Sequence, residues 1–296
     1  MNAGLAILDL VTNAGARSLF VVGIGKNVGK TVTARAVYEA AYVRGLRVGI
    51  ASVGRDGEAV DVGDGVPKPR LFLHPGTTLA TARDTLPRSP ASELLAISTL
   101  QTAAGRLVYA RSQQGAHYEL VGPPSASGVR EVVSELCARC EFVIVDGAID
   151  RVAALAGTSS AIVVAAGAAA AGTIVEAVQD VAALVRRLNV PEYDPGAEQV
   201  RIEGALTPAH AAQLIAARER RQIVVRDPTQ IALTGRALAH ALDRLAIRCR
   251  RPLRVVAATI ASIGRERSFE PREFERAVAE ATGLPTFDVY AGTVAA

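Results

Sequence analysis

A mostly parallel α/β sheet flanked by helices is the fold this sequence predicts, and three observations predict it. An apolar run, Leu19-Phe20-Val21-Val22, leads through a glycine-rich stretch into a segment with Ala34, Val37, Tyr38 and Ala41 at helical spacing. Further short apolar runs, 47–53, 142–148 and 161–165, alternate with helical patterns along the chain. The 296 residues, half of them apolar, suffice for a full core and for one large domain or two modest ones.

The elements follow in order. Gly45 closes the first helix, and Arg47–Val53 reads as the next strand. The loop Gly54–Asp61 is dense in carboxylates. Pro67 and Pro69 frame the approach to Arg70–Leu73, and Gly76-Thr77-Thr78 opens an expected helical stretch holding Ala80 and Thr81. Short strands are expected around 94–98, 107–110 and 119–121. Gly122-Pro123-Pro124 then turns the chain into a helix over 128–139, which delivers the strand Phe142–Ala148. Residues 161–165 form another buried strand, with Ile174, Val178, Val181, Val185 and Leu188 marking the helix behind it. The segment Pro191–Gly196 reads as a linker, dividing a first domain over 1–190 from an α/β C-terminal part over 191–296. In that part, strands near 202–206, 222–225 and 253–257 alternate with helices near 208–218, 235–246 and 271–282.

Composition excludes several classes. The net charge of +4 is spread over scattered arginines, without the basic and aromatic interleaving of a nucleic-acid platform. The longest apolar stretch, 161–171, is too short to cross a bilayer, and no signal peptide is evident, so a cytoplasmic location is expected. Cys137, Cys140 and Cys249 make no disulfide framework, and the four histidines show no ligand spacing.

The chemistry is concentrated in Gly23-Ile24-Gly25-Lys26-Asn27-Val28-Gly29-Lys30-Thr31. The chain has three lysines against thirty arginines, yet two of the three stand here. A cradle of backbone N–H groups around a phosphate suits a compact ammonium on a flexible stem better than a planar guanidinium. Gly23, Gly25, Lys26, Asn27, Val28, Gly29, Lys30, Thr31 and Val32 are therefore expected to bind a nucleotide, with Lys30 neutralising transferred charge. Thr31 can place a hydroxyl on Mg²⁺, and Asp146, at the end of four apolar residues, can hold the same ion. Asp56 and Glu58, in the acidic loop, are the candidates for orienting an attacking water. An Asn-Lys-x-Asp motif does not occur, which favours ATP over GTP.

The glycine run resembles the P-loop of dethiobiotin synthetase and the cobyric-acid amide synthases, which carry Gly-Thr-x-x-x-Val-Gly-Lys-Thr. Asp146-Gly147-Ala148 stands where dethiobiotin synthetase has Glu-Gly-Ala. That family implies a lysine at the end of the second strand, where this chain has Ala51-Ser52. The additional Lys26 is similar to the extra lysine of partition ATPases, which reaches across a homodimer, although here it lies one position later. A closer resemblance runs through Ser52–Glu58, Lys68-Pro69, Gly76–Ala82, Gly122-Pro123, Asp146–Arg151 and Phe287-Asp288-Val289. These segments are similar to the reactivase subunit associated with cobalamin-dependent lysine 5,6-aminomutase and ornithine aminomutase. That resemblance implies an ATPase which, with a MutS-like ATPase subunit, frees an aminomutase from inactivated cobalamin. Two alternatives stay open: an ATP-dependent ligase, and a nucleotide-gated regulatory module.

Overall fold

The computed structural model describes residues 2–53, 70–87, 91–147, 160–264 and 266–290. Two compact units divide the chain: Met1–Val22 with Gly29–Ala154, and Gly23–Val28 with Leu155–Ala296.

The first unit begins with a helix that the sequence analysis did not anticipate, α1 (Ala3–Asn13), whose Ile7, Leu8 and Val11 are buried. Apolar β1 (Ser18–Gly23) is buried throughout, and α2 (Lys30–Val43) follows the glycine-rich run. β2 (Val48–Ser52) leads to β3 (Leu71–Leu73) and β4 (Thr78–Ala82), and then to the long hairpin of β5 (Ser92–Thr102) and β6 (Gly105–Ser112). β7 (Ala116–Tyr118), α3 (Ala126–Arg139) and β8 (Phe142–Asp146) complete the unit. The sheet order here is β1-β8-β2-β4-β6-β5. β1, β8, β2 and β4 are mutually parallel, while β6 and β5 join antiparallel. β3 and β7 form a separate antiparallel ribbon. Arg17 ties this unit together by donating from Nη2 to the carbonyls of Cys137 and Cys140, 2.9 Å each, which satisfies the open end of α3.

β4 corrects the helix expected to begin near Gly76. All five of its residues are buried, and it lies between β2 and β6. A strand covered on both faces loses the period-two alternation that would have marked it, and its Thr and Ala residues read equally well as helix. The strand expected at 119–121 is replaced by β7 just before it. Thr81 explains the extended chain beyond: its hydroxyl donates to Glu119 O (2.8 Å) and accepts from Val121 N–H (2.9 Å), standing in for a backbone ladder.

The second unit holds β9 (Ala161–Gly167), buried at every position, and α4 (Ile174–Leu188), which starts with a capping box between Thr173 and Glu176. Next come β10 (Gln199–Arg201), α5 (Pro208–Ala216), β11 (Gln222–Val225), α6 (Gly235–Arg244) and β12 (Ile247–Cys249). β13 (Arg254–Ala261), α7 (Pro271–Thr282) and β14 (Thr286–Asp288) end it. β9, β13 and β14 are parallel neighbours, and β10-β11-β12 form a second, smaller parallel sheet. The boundary expected at 190 thus falls inside this unit. β13 pairs with β9 across it, and the residues read as a linker join the small sheet through a bridge between Glu192 and Cys249. Both units are α/β with mostly parallel strands. Among the described residues no helix is long and apolar enough to cross a membrane.

Candidate functional site

Lys30 opens α2, and the residue before it, Gly29, takes φ 88°, a left-handed conformation that costs glycine least. Gly29 makes no side-chain cap hydrogen bond to this helix, whose dipole has its positive end here. Thr31 follows, and its Oγ1 donates to Oδ2 of Asp146 at 2.8 Å.

Asp146 is the last residue of β8, in register with Val21 of β1 and Ser52 of β2. Two backbone bonds hold that strand end: Val53 N–H donates to Asp146 O (2.9 Å) and Gly147 N–H to Val21 O (3.1 Å). The central parallel strands therefore present Asp146 at their carboxyl edge, where α/β sheets bind ligands. Desolvation pushes the Asp146 carboxyl above the usual aspartate range, while the Thr31 hydrogen bond and the charge of Lys30 pull it back down. The result is a partly buried carboxylate whose neighbours are a hydroxyl and an ammonium. Such a group gains from a cation or a further donor.

The donor set fits a hard divalent cation such as Mg²⁺, since Thr31 and Asp146 offer only oxygens. Among the described residues no group of three or more His, Cys, Asp or Glu is placed to hold a metal. A cation here would draw its remaining ligands from water and substrate, as Mg²⁺ ordinarily does.

The earlier half of the glycine run, Gly23–Val28, packs within the second unit. Ile24 N–H donates to Ala165 O of β9 at 3.2 Å. Gly25 is there because of close approach: a β-carbon on it would stand 2.6 Å from the β-carbon of Ala170. Gly167 is as close to backbone: its β-carbon would fall 2.6 Å from the α-carbon of Val28. Asn27 accepts φ 56°, Val28 is buried, and Lys26 and Asn27 are exposed. Gly167 and Ala170 are contributors the sequence analysis missed; the only trace of them is a glycine closing an apolar run before four alanines. Gly167→Ala must push the loop backbone itself, so we expect a loss of about 1–3 kcal/mol, read as a lower urea midpoint. An unchanged midpoint would show that the contact yields freely.

Val32 sits half-buried in the first turn of α2. Asp56 and Glu58 lie outside the described residues; the chain departs toward them from Val53, directly beyond the strand end that pairs with Asp146. Of the expected site, then, Lys30, Thr31 and Asp146 come together within the first unit. No protein-family model matches the chain, and no curated protein matches it.

Proposed function

We propose that the chain is a P-loop ATPase that binds ATP with Mg²⁺ through Gly23–Val32 and hydrolyses it. The observation that carries this reading is the bond from Thr31 to Asp146, which links the start of α2 to the end of a buried parallel strand beside Lys30. A plain glycine turn has no need of a partly buried carboxylate at that place.

The residues divide the work by their chemistry. Backbone N–H groups of the glycine run and the positive dipole end of α2 receive phosphate oxygens. The Lys30 ammonium neutralises charge that builds on the bridging and terminal oxygens as the terminal phosphoryl leaves. The Thr31 hydroxyl and the Asp146 carboxylate hold the cation, and Asp56 or Glu58 orients the attacking water. Mg²⁺, held by Thr31 and Asp146, would supply neutralisation of phosphate charge. Burial of Asp146 keeps its charge weakly solvated, which strengthens its hold on a cation in that position.

The client we propose, from the resemblance, is a cobalamin-dependent aminomutase served together with a MutS-like ATPase subunit. ATP binding would bias a two-state clamp and hydrolysis would release it, with no small-molecule acceptor required. The ligase reading is disfavoured by Ala51 and Ser52, which end β2 where a carbamate-binding lysine would stand. Phosphate release from Mg·ATP, measured alone and with the mutase and its companion, tests the assignment. Stimulation by the mutase is expected; turnover that responds only to a small carboxylate or carbamate would replace the reactivase with a ligase.

A further inference from the structure

Helices α5 and α6 cover one face of the small sheet β10-β11-β12. Its inward residues, Ile202, Ile223, Val225, Ile247 and Cys249, share a core with Ala211 of α5 and with Leu238 and Ala241 of α6. The register then sets the other face: Arg201, Val224 and Arg248 stand in one row across the three strands. The next row continues past the strand ends, where Arg250 N–H donates to Val225 O (3.1 Å) and brings Arg250 beside Arg226.

Arg201, Arg226 and Arg250 are exposed and Arg248 is half-buried, whereas Val224 between them is 2% exposed. The chain itself meets this face at two places: Gln222 exchanges two 3.0 Å hydrogen bonds with the backbone of Asp194 at the amino end, and the Tyr193 ring lies against Arg250 at the carboxyl end. All-parallel sheets ordinarily have both faces covered. Here Arg201, Arg226, Arg248 and Arg250 stand on the second face.

Among the described residues each of these arginines has one or two partners. Arg226 pairs with Asp227 at 2.9 Å, Arg201 donates to Gln199, Arg248 to Ile247 O, and Arg250 lies over the ring of Tyr193. Each fork has five donors. Residues 192–254, which span the sheet, contain eleven arginines and seven acidic residues.

We infer that the arginine face of β10–β12 docks an acidic segment of a partner protein. Carboxylates match the guanidinium fork two atoms to two, and rows one strand spacing apart present several forks to one segment. A single-stranded nucleic acid would call for bases stacked on aromatic rings, and the ring on this face, Tyr193, is taken by Arg250. The inference is independent of the nucleotide reading.

The test is fluorescence anisotropy of a labelled twenty-residue polyglutamate probe with the full-length protein at low salt. Arg201→Gln with Arg250→Gln leaves no buried carboxylate unpaired, and Arg106→Gln with Arg272→Gln removes the same charge from exposed positions elsewhere. The face variant should bind about tenfold more weakly while the control variant binds as wild type. Equal binding by both variants would overturn the inference, and so would tighter binding of oligothymidylate than of polyglutamate. Unchanged circular dichroism of the face variant ties the loss to the surface rather than to the fold.

Discussion

Lys30→Ala should lower ATP affinity on the order of a hundredfold or more while leaving the circular dichroism spectrum and the melting temperature close to wild type. The size follows from what is removed: a charge-assisted contact to a phosphate at a site where the helix start and the loop N–H groups alone remain. The fold should survive because the side chain is only half-buried and the segment is held by other contacts, among them Gly29 as N-cap and the bond from Thr31 to Asp146. Lys26→Ala is the companion measurement. Lys26 is exposed, so its loss should matter strongly only where a second chain completes the site. Undiminished binding by the Lys30 variant would refute the role given to this residue.

Asp146→Asn should separate stability from function. The carboxyl titrates above the ordinary aspartate range, mainly through desolvation. A raised folded-state value means that the native protein holds this proton more tightly than the unfolded chain. Its stability contribution is therefore most favourable at acid pH, below the unfolded value, and is lost as pH rises through the folded one. At neutral pH the charged group is a liability in the ligand-free protein. Asparagine keeps an oxygen to accept from Thr31 and carries no charge, so the variant should melt higher than wild type by on the order of 2 °C at pH 7. The difference should shrink as pH falls. Cation-supported ATP binding and hydrolysis should fall sharply in the same variant, because the anionic ligand is gone. A variant that melts lower than wild type at pH 7, or that hydrolyses ATP normally, would contradict this account of Asp146.

The strands and loop that build the candidate site were legible because each carries a local signal. β1 and β8 are short, continuously apolar and flanked by clear turn chemistry, and the strand ending at Asp146 was read with its carboxylate in place. The fold class followed from the alternation of such runs with helical spacing, and the ordered sheet is indeed mostly parallel. What escaped was encoded elsewhere. β4 is hidden by burial on both faces, and its identity as a strand comes from β2 and β6 beside it. β10, β12 and β14 have three residues each, too few for any period to show. The packing of Gly167 against Val28 joins positions 139 residues apart, and a single sequence has no local mark for it. Proline and glycine at 191–196 signalled a break in secondary structure, which is real, and not a boundary between bodies, which depends on the pairing of β13 with β9.

The most direct measurement is calorimetric titration of ATP into the purified wild-type chain, with Mg²⁺ and then with the cation chelated. Saturable binding at one site per chain, with a dissociation constant in the range of about 1 μM to 1 mM and weakened by chelation, is the predicted result. No heat of binding at millimolar ATP in the presence of Mg²⁺ would contradict the account, whatever client the chain serves.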